Sequence, residues 1–339
     1  MTTRSTSRTG TGEAGAEAGI GVVDLAHQKE YVGESLTTMA LRRLRRDKLT
    51  LIAMFLLLVL FTLSLGAGAI SNALDVNYRS TEVSNAFEPL KYHLTVDGDF
   101  PFINVHSRDS KHLLGTDDIG RDHLSRLLYA GRISMGIALG AGVFSLIIGA
   151  SVGVIAGYYQ GGAFGFLDEF IIWIVTTLNS VPYIFLLLVI SAILSPSVFS
   201  LMLILAVLSW TGTMRLMRGE TLARREQEYV IAARAIGATD ARVMFSHIMP
   251  NVFSILIINL ALDIGTFILV ESALSFLNLG VRPPTPSWGN MLTNAQSFFT
   301  KSTPLFVIPG VLIVVTVLCL YVVGDGVRDA FDPQSVKKK

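Results

Sequence analysis

Apolar positions along the chain gather into six long runs separated by polar segments. The first, Thr50–Ile70, is uninterrupted. At about 1.5 Å per helical residue, some twenty residues match a hydrocarbon core of about 30 Å. Five more runs follow, at about 133–157, 166–194, 198–217, 252–278 and 303–324. The run from Phe166 is long, carries Asp168 and Glu169 near its start and contains Pro182. It reads as an interfacial start followed by a kinked span. The pattern predicts an all-α polytopic membrane protein with six transmembrane helices. An even number of crossings puts both termini on one side.

The polar segments differ in kind. Residues 1–32, rich in Thr, Ser, Gly, Ala and Glu, cannot bury enough apolar surface to offset ordering entropy and read as a disordered tail. Residues 33–49 set Leu36, Met39, Leu41 and Leu44 among Arg42, Arg43, Arg45, Arg46 and Lys48, which predicts a basic amphipathic surface helix. Residues 50–70 form the first transmembrane helix and 71–132 an external loop containing an amphipathic helix. Residues 133–326 form the membrane core, with an inner loop at 219–250, and 327–339 a tail. Gly66-Ala67-Gly68-Ala69 faintly resembles a signal-peptidase site, but the long preceding segment argues against cleavage.

Composition agrees with a lipid-solvated surface. Charged residues make up 16% of the chain, against about a quarter in soluble domains. A net charge of +1 supplies no global field for nucleic acid. The single cysteine, Cys319, lies in an apolar run and has no intrachain disulfide partner. Basic residues are dense before the first span, in the loop between the fourth and fifth spans (Arg215, Arg218, Arg224, Arg225, Arg234, Arg242) and at Lys337–Lys339. The positive-inside bias therefore places these segments, and both termini, in the cytoplasm.

The inner loop is the most informative segment. Glu228–Ile236 is rich in helix formers, Gly237 supplies a left-handed stop, and Thr239 or Asp240 can cap a second helix. Val243 and Ile248 can face the membrane domain, and Pro250 opens the next span. Ala232, Ala233 and Ala235 are small enough to let another surface approach closely. This helix–turn–helix resembles the EAA loop of binding-protein-dependent ABC importer permeases. Ala232, Ala233, Gly237 and Pro250 match the family pattern, whereas Ile231 holds its Glu position, His247 its apolar position and Met249 its Leu position. The resemblance implies that Glu228, Ala232, Ala233, Arg234, Gly237, Ala238 and Asp240 couple the chain to an ATPase subunit.

Other segments are similar to the C-type permeases of dipeptide and oligopeptide importers: His112–Tyr129, Glu271–Gly280 with Pro283–Leu292, and Gly324–Pro333. Asn278 stands where that group usually has Gly. In the first of these, Thr116 is a plausible N-cap, with Asp117 and Asp118 favourable to the helix dipole and Leu124, Leu127 and Leu128 forming an apolar face. The resemblance implies a type I ABC importer permease architecture and a bacterial or archaeal inner-membrane location. It also implies a second homologous permease, two ATPase subunits and an external solute-binding protein as partners. Peptides are the implied cargo, with nickel chelates or oligosaccharides as alternatives.

No catalytic or metal site is expected. The chain has no phosphate-cradling Gly-x-x-x-x-Gly-Lys motif, so ATP and Mg belong to partner chains and no cofactor is expected here. No Cys/His cluster has zinc spacing, and His112 with His123 reads as no metal pair. An intramembrane protease would need a Ser/His or paired-Asp set at depth, and the six histidines all lie outside the runs. An ATP-independent channel or secondary transporter would leave the inner loop without a role.

Ionisable groups at membrane depth are costly and invite a functional reading. Asp263 and Glu271 in the fifth run are about 80° apart around a helix and about 12 Å apart along it. With Thr266, and with Asn179 and Ser180 beside the Pro182 kink, they are the candidate substrate-pathway residues. The alternative is that they hold helices together by hydrogen bonds.

Overall fold

Helices make up most of the described residues in this computed structural model, which describes residues 36–96, 103–107, 110–162, 164–293, 298 and 301–331. The predicted tail 1–32 and the last residues, 332–339, lie outside the described residues. Two helices precede the core: α1 (Leu36–Leu44), which carries Arg42 and Arg43 of the basic cluster, and α2 (Lys48–Leu65), the first span. Asp47 caps α2, accepting from the amides of Leu49 (3.1 Å) and Thr50 (3.4 Å). α2 stops at Gly66, and a separate helix α3 (Ala67–Ala73) completes the apolar run.

The 71–132 loop contains an antiparallel hairpin, β1 (Tyr92–Val96) with β2 (Ile103–Ser107), in the register Tyr92↔Ser107 to Val96↔Ile103. This small sheet is an addition to the helical expectation. The predicted amphipathic helix of this loop is not a separate element. It forms the first turns of α4 (His123–Tyr159), whose 37 residues extend about 55 Å and overshoot a core of about 30 Å. Asp122, not Thr116, caps α4, accepting from the Ser125 amide at 2.6 Å. Thr116 is taken up elsewhere: it pairs with Asp122 in a bridge and accepts from the Glu88 amide at 2.9 Å.

The third span is broken. α5 (Gly165–Asn179) and α6 (Tyr183–Ile193) meet at 79° where Pro182 removes an amide donor. α7 (Val198–Arg224) starts from a reciprocal Ser197/Ser200 capping box. After it come α8 (Glu228–Ala235), α9 (Asp240–Arg242), a wide turn at Val243–Ile248 and a tight one at Met249–Val252. The bundle closes with α10 (Phe253–Phe276), α11 (Trp288–Met291) and α12 (Pro304–Phe331).

Five of these segments are long and apolar enough to cross a bilayer on their own. The α4–α7 contact decides the status of the bent pair. Gly149 lies against Trp210 and Thr213, Gly153 against Met214 and Met217, and Gly157 against Arg218 and Thr221. The numbering rises on both helices together, so α4 and α7 are parallel neighbours. The chain must therefore return across the bilayer between them, and α5–α6 is that crossing. Six spans result, as the sequence predicts.

Lipid tails are as apolar as leucine, so helices associate in membranes by close packing of small residues rather than by hydrophobic exclusion. Glycines at 149, 153 and 157 recur every fourth residue and line one face of α4. A Cβ added at Gly153 would lie 2.5 Å from the Met214 carbonyl oxygen and 2.7 Å from Met217 Cβ. By contrast, Gly219 on α7 has open space where a Cβ would be. Gly153→Ala is expected to destabilise the purified chain by about 1–3 kcal/mol. Gly219→Ala is expected to leave stability unchanged or raise it by about 0.5–1 kcal/mol. Thermal unfolding of both variants in detergent checks the pair.

Candidate functional site

The inner loop forms an elbow at the end of the bundle where α4 and α7 finish and α10 begins. α8 ends in a left-handed stop: Gly237 has φ +88°, its amide bonds the Arg234 carbonyl (2.9 Å), and the Ala238 amide bonds that of Ala233 (3.0 Å). These two bonds satisfy carbonyls the helix would leave open. Thr239 then caps α9, accepting from the Arg242 amide at 3.4 Å. The wide turn at 243–248 and Pro250 in the tight turn join the elbow to α10 as one continuous helical path.

One face of the elbow is sealed to the bundle and the other is open. Val230, Val243 and Ile248 are fully buried against Val154, Met217 and Val252. Ala233 is also buried, which corrects the expectation that it lies open to another surface. Ala232, Ala235, Tyr229 and Ile231 are exposed, and Ile236 is 87% exposed. A helical stripe explains the division, since positions 230 and 233 lie one turn apart on the inner face.

Polar ties fix the elbow's angle. Tyr158 at the end of α4 donates to Asp240 Oδ1 at 2.6 Å, and Tyr159 donates to Oδ2 at 3.3 Å. The Arg234 guanidinium lies 4.9 Å from the centre of the Tyr158 ring. Asp240 and Arg234 thus bind the elbow to its own bundle, and Glu228 stays exposed. Two arginines read from the sequence as orienting charges have structural partners. Arg225 donates to the Gln160 carbonyl at 2.7 Å, at the carbonyl end of α4. Arg218 forks onto Asp168 at 2.6 and 2.8 Å, tying the start of α5 to α7.

The candidate pathway residues do not form one group. Asp263 accepts from Asn259 Nδ2 at 2.8 Å, and the same amide reaches Thr213 Oγ1 on α7 at 3.1 Å. Tyr183 pairs with Ser209 at 2.9 Å. Asn179 and Ser180 bond backbone carbonyls of their own helix, at Val175 and Thr177. Thr266 bonds the Leu262 carbonyl and lies 3.5 Å from the Tyr321 hydroxyl.

Glu271 departs from the pathway expectation. It is completely buried, accepting from Ser134 Oγ (2.8 Å) on α4 and Ser275 Oγ (2.7 Å) on α10. Ser134 also accepts from the Trp288 amide, and Trp288 Nε1 donates to the Leu127 carbonyl, both at 3.1 Å. The network pins the 278–292 loop into the end of the bundle opposite the elbow. Asn278 adopts φ +62°, a left-handed turn that Asn tolerates better than most side chains, which accounts for Asn where Gly is usual.

At the end of the bundle away from the elbow, Asp117 receives Arg121 Nε at 2.7 Å and also pairs with Arg126. Burial works to raise its pKa, but these two cations outweigh burial and hold it below the ordinary carboxylate value.

Residues 131–337 match the family described as binding-protein-dependent transport system inner membrane component. The chain belongs to that family. A dipeptide transport system permease protein DppC from Alkalihalophilus pseudofirmus is 31% identical, over 91% of this chain and 93% of that protein. The DppC of Haemophilus influenzae is 39% identical over 66% of this chain and 74% of its own length. A glutathione transport system permease protein GsiD from Pectobacterium atrosepticum is 38% identical over 66% and 73%. Among solved structures, an inward-facing MetNI methionine ABC transporter chain is similar in fold, with a TM-score of 0.51 at 20% identity over 60% of this chain and 96% of that one. The chain is thus an inner-membrane transport permease, and its elbow lies within the matched segment.

Several functional residues were not singled out from the sequence. Tyr158, Tyr159, Thr213 and Ser134 carry no local motif, and their partners lie tens of residues away. The glycine spacing of α4 was legible in principle, as a four-residue repeat of small residues. For Glu271, replacement by Ala should destabilise the chain by roughly 2–5 kcal/mol, by opening a cavity and orphaning two serine hydroxyls. Glu271→Gln should lose less than half as much, because it keeps the volume and an acceptor. Chemical unfolding in mixed micelles measures both.

Proposed function

We propose that this permease forms half of the translocation pathway of an ATP-driven peptide importer, and that its elbow receives an ATPase subunit. The carrying observation is the division of α8 into a sealed face and an open one. Val230 and Ala233 lock the helix to the ends of α4, α7 and α10, while Ala232, Ile236 and their exposed neighbours face outward with no covering element among the described residues. An exposed isoleucine beside small residues suits the groove of a partner better than water. A push on the open face would pass through Val243, Met244 and Ile248 into α10, and through Tyr158 into α4. The cycle then follows from the partner's different affinity for two bundle states.

ATP and Mg would be bound and hydrolysed on two separate partner subunits. A second, homologous permease would supply the other half of the pathway, and an external solute-binding protein would deliver the cargo. Peptides as cargo are supported by the relatives' dipeptide and glutathione names. The basic segments at 42–48 and 215–242 lie at the elbow end, supporting a cytoplasmic elbow and cytoplasmic termini. The partly buried Asp263 and Asn259, tied to the buried Thr213, are the pathway-facing polar group on this reading.

In the assembled transporter, Ile236→Asp and Ala232→Trp should each reduce substrate-stimulated ATP hydrolysis by on the order of tenfold or more. Both sites are exposed, so the isolated subunit should insert and unfold like the wild type. Ala233→Asp would instead report on folding. Undiminished coupling in both surface variants would refute the role assigned to the elbow.

A further inference from the structure

The first span is loosely covered on the side it shares with α12, and two adjoining cavities occupy that seam. The deeper one, of about 320 Å³, lies between α2, α4, α10 and α12. Every residue lining it among those described is apolar, including Met54, Leu58 and Phe61 on α2, Leu139 on α4, Ile264 on α10 and Leu320 on α12. From Met54 to Phe61 it follows α2 for about 10 Å. Leu58 is 59% exposed and Leu139 42%, so the groove opens to the bilayer side of the bundle.

The second cavity, of about 470 Å³, sits at the elbow end of the same helices. Arg43, Arg46 and Asp47 line it from the α1–α2 junction, and Gly326, Asp329 and Ala330 from α12. Val323 of the apolar groove and Gly326 of the charged cavity are three residues apart on α12, about 4.5 Å along the axis. Segment 42–48 carries five cations and one carboxylate. Of the two carboxylates that line the cavity, Asp47 is committed to capping α2, and Asp329 on α12 stands against the segment's excess of cations. Arg43 holds the cavity in shape by donating to the Ala330 carbonyl at 3.4 Å. Thr50 packs against Gly326, where a side chain would not fit, so α2 and α12 touch at the floor between the two cavities.

We infer that this seam binds one anionic phospholipid, its headgroup phosphate at Arg43 and Arg46 and one acyl chain in the groove along α2. The two cavities have the order and spacing of a lipid in one leaflet: cations at interface depth, then a wholly apolar slot running inward along a helix that starts there. A protein segment would have to present an anion and an apolar stretch in the same order, whereas every anionic lipid does so. Basic segments at the cytoplasmic surface attract anionic headgroups by charge alone, and here the groove adds a shape requirement. The inference stands on the seam alone and does not depend on the role given to the elbow.

The test uses the full-length chain in nanodiscs of phosphatidylcholine. These contain traces of phosphatidylglycerol or phosphatidylcholine bearing a diazirine in one acyl chain. After illumination, labelled residues should fall within 54–61 of α2, with phosphatidylglycerol labelling about five-fold more than phosphatidylcholine. Arg46→Gln should bring that ratio toward one without moving the label. Leu58→Trp, which fills the groove from α2, should remove the label, and Leu139→Trp does the same from the opposite wall should the first variant fold poorly. Equal labelling by the two lipids, a ratio unchanged by Arg46→Gln, or labelling indifferent to a filled groove would each overturn the site. So would a photoreactive side chain at position 58 that, in the assembled transporter, crosslinks to another protein chain instead of to lipid.

Discussion

Gly149, Gly153 and Gly157 let the backbones of α4 and α7 approach until a single added methyl would collide with a carbonyl oxygen. In lipid, where apolar surface gains nothing by meeting apolar surface, that closeness is a main source of helix affinity. It has a topological consequence as well. Two parallel helices in direct contact require a crossing between them, and the broken α5–α6 unit is placed by that need. Arg218 on Asp168 then ties the returning span to the pair, and Arg225 on the last carbonyls of α4 ties the start of the elbow to it. Much of the elbow end is arranged around this one contact.

The elbow is anchored on one face only, which is what the proposed lever role requires. Buried aliphatic contacts resist sliding but carry little angular information. The hydrogen bonds from Tyr158 and Tyr159 to Asp240 supply it, with Arg234 stacked on the Tyr158 ring. On the proposed function, a rigid joint at the end of α4 would convert a small displacement of α8 into a tilt of α4, and the path through 243–252 would carry it to α10. At the far end, Glu271 has the opposite task. Its carboxylate is surrounded by serine hydroxyls and by Trp288, and it holds the outer loop down instead of lining a passage.

Polar groups at membrane depth therefore fall into two kinds, and burial separates them. Glu271 is sealed and its donors come from two helices and a loop, which makes it a clamp. Asp263 is half-buried, with the Asn259 amide donating to it and the Thr213 hydroxyl beside that amide. Both are acidic residues on one helix, eight positions apart. Their difference comes from what α4 and α7 present to them.

The sequence by itself determined the class of the protein and the location of its elbow. Long apolar runs leave no alternative to membrane helices, because unpaired backbone groups cannot be carried into lipid. Pro182 marked the broken span, and Gly237 marked the end of α8, since a left-handed backbone is cheap for glycine alone. These are local constraints, and local constraints can be read from neighbours in the chain. The outward face of Ala232 as against the inward face of Ala233, the cap at Asp122 in place of Thr116, the hairpin in the outer loop and the sealing of Glu271 were decided by tertiary structure. Each depends on a residue far away in sequence, such as Ser134 for Glu271 or Tyr158 for Asp240. Such pairings exist only once the helices have packed, since a hydrogen-bond partner is defined by position in space and leaves no periodic trace in either segment.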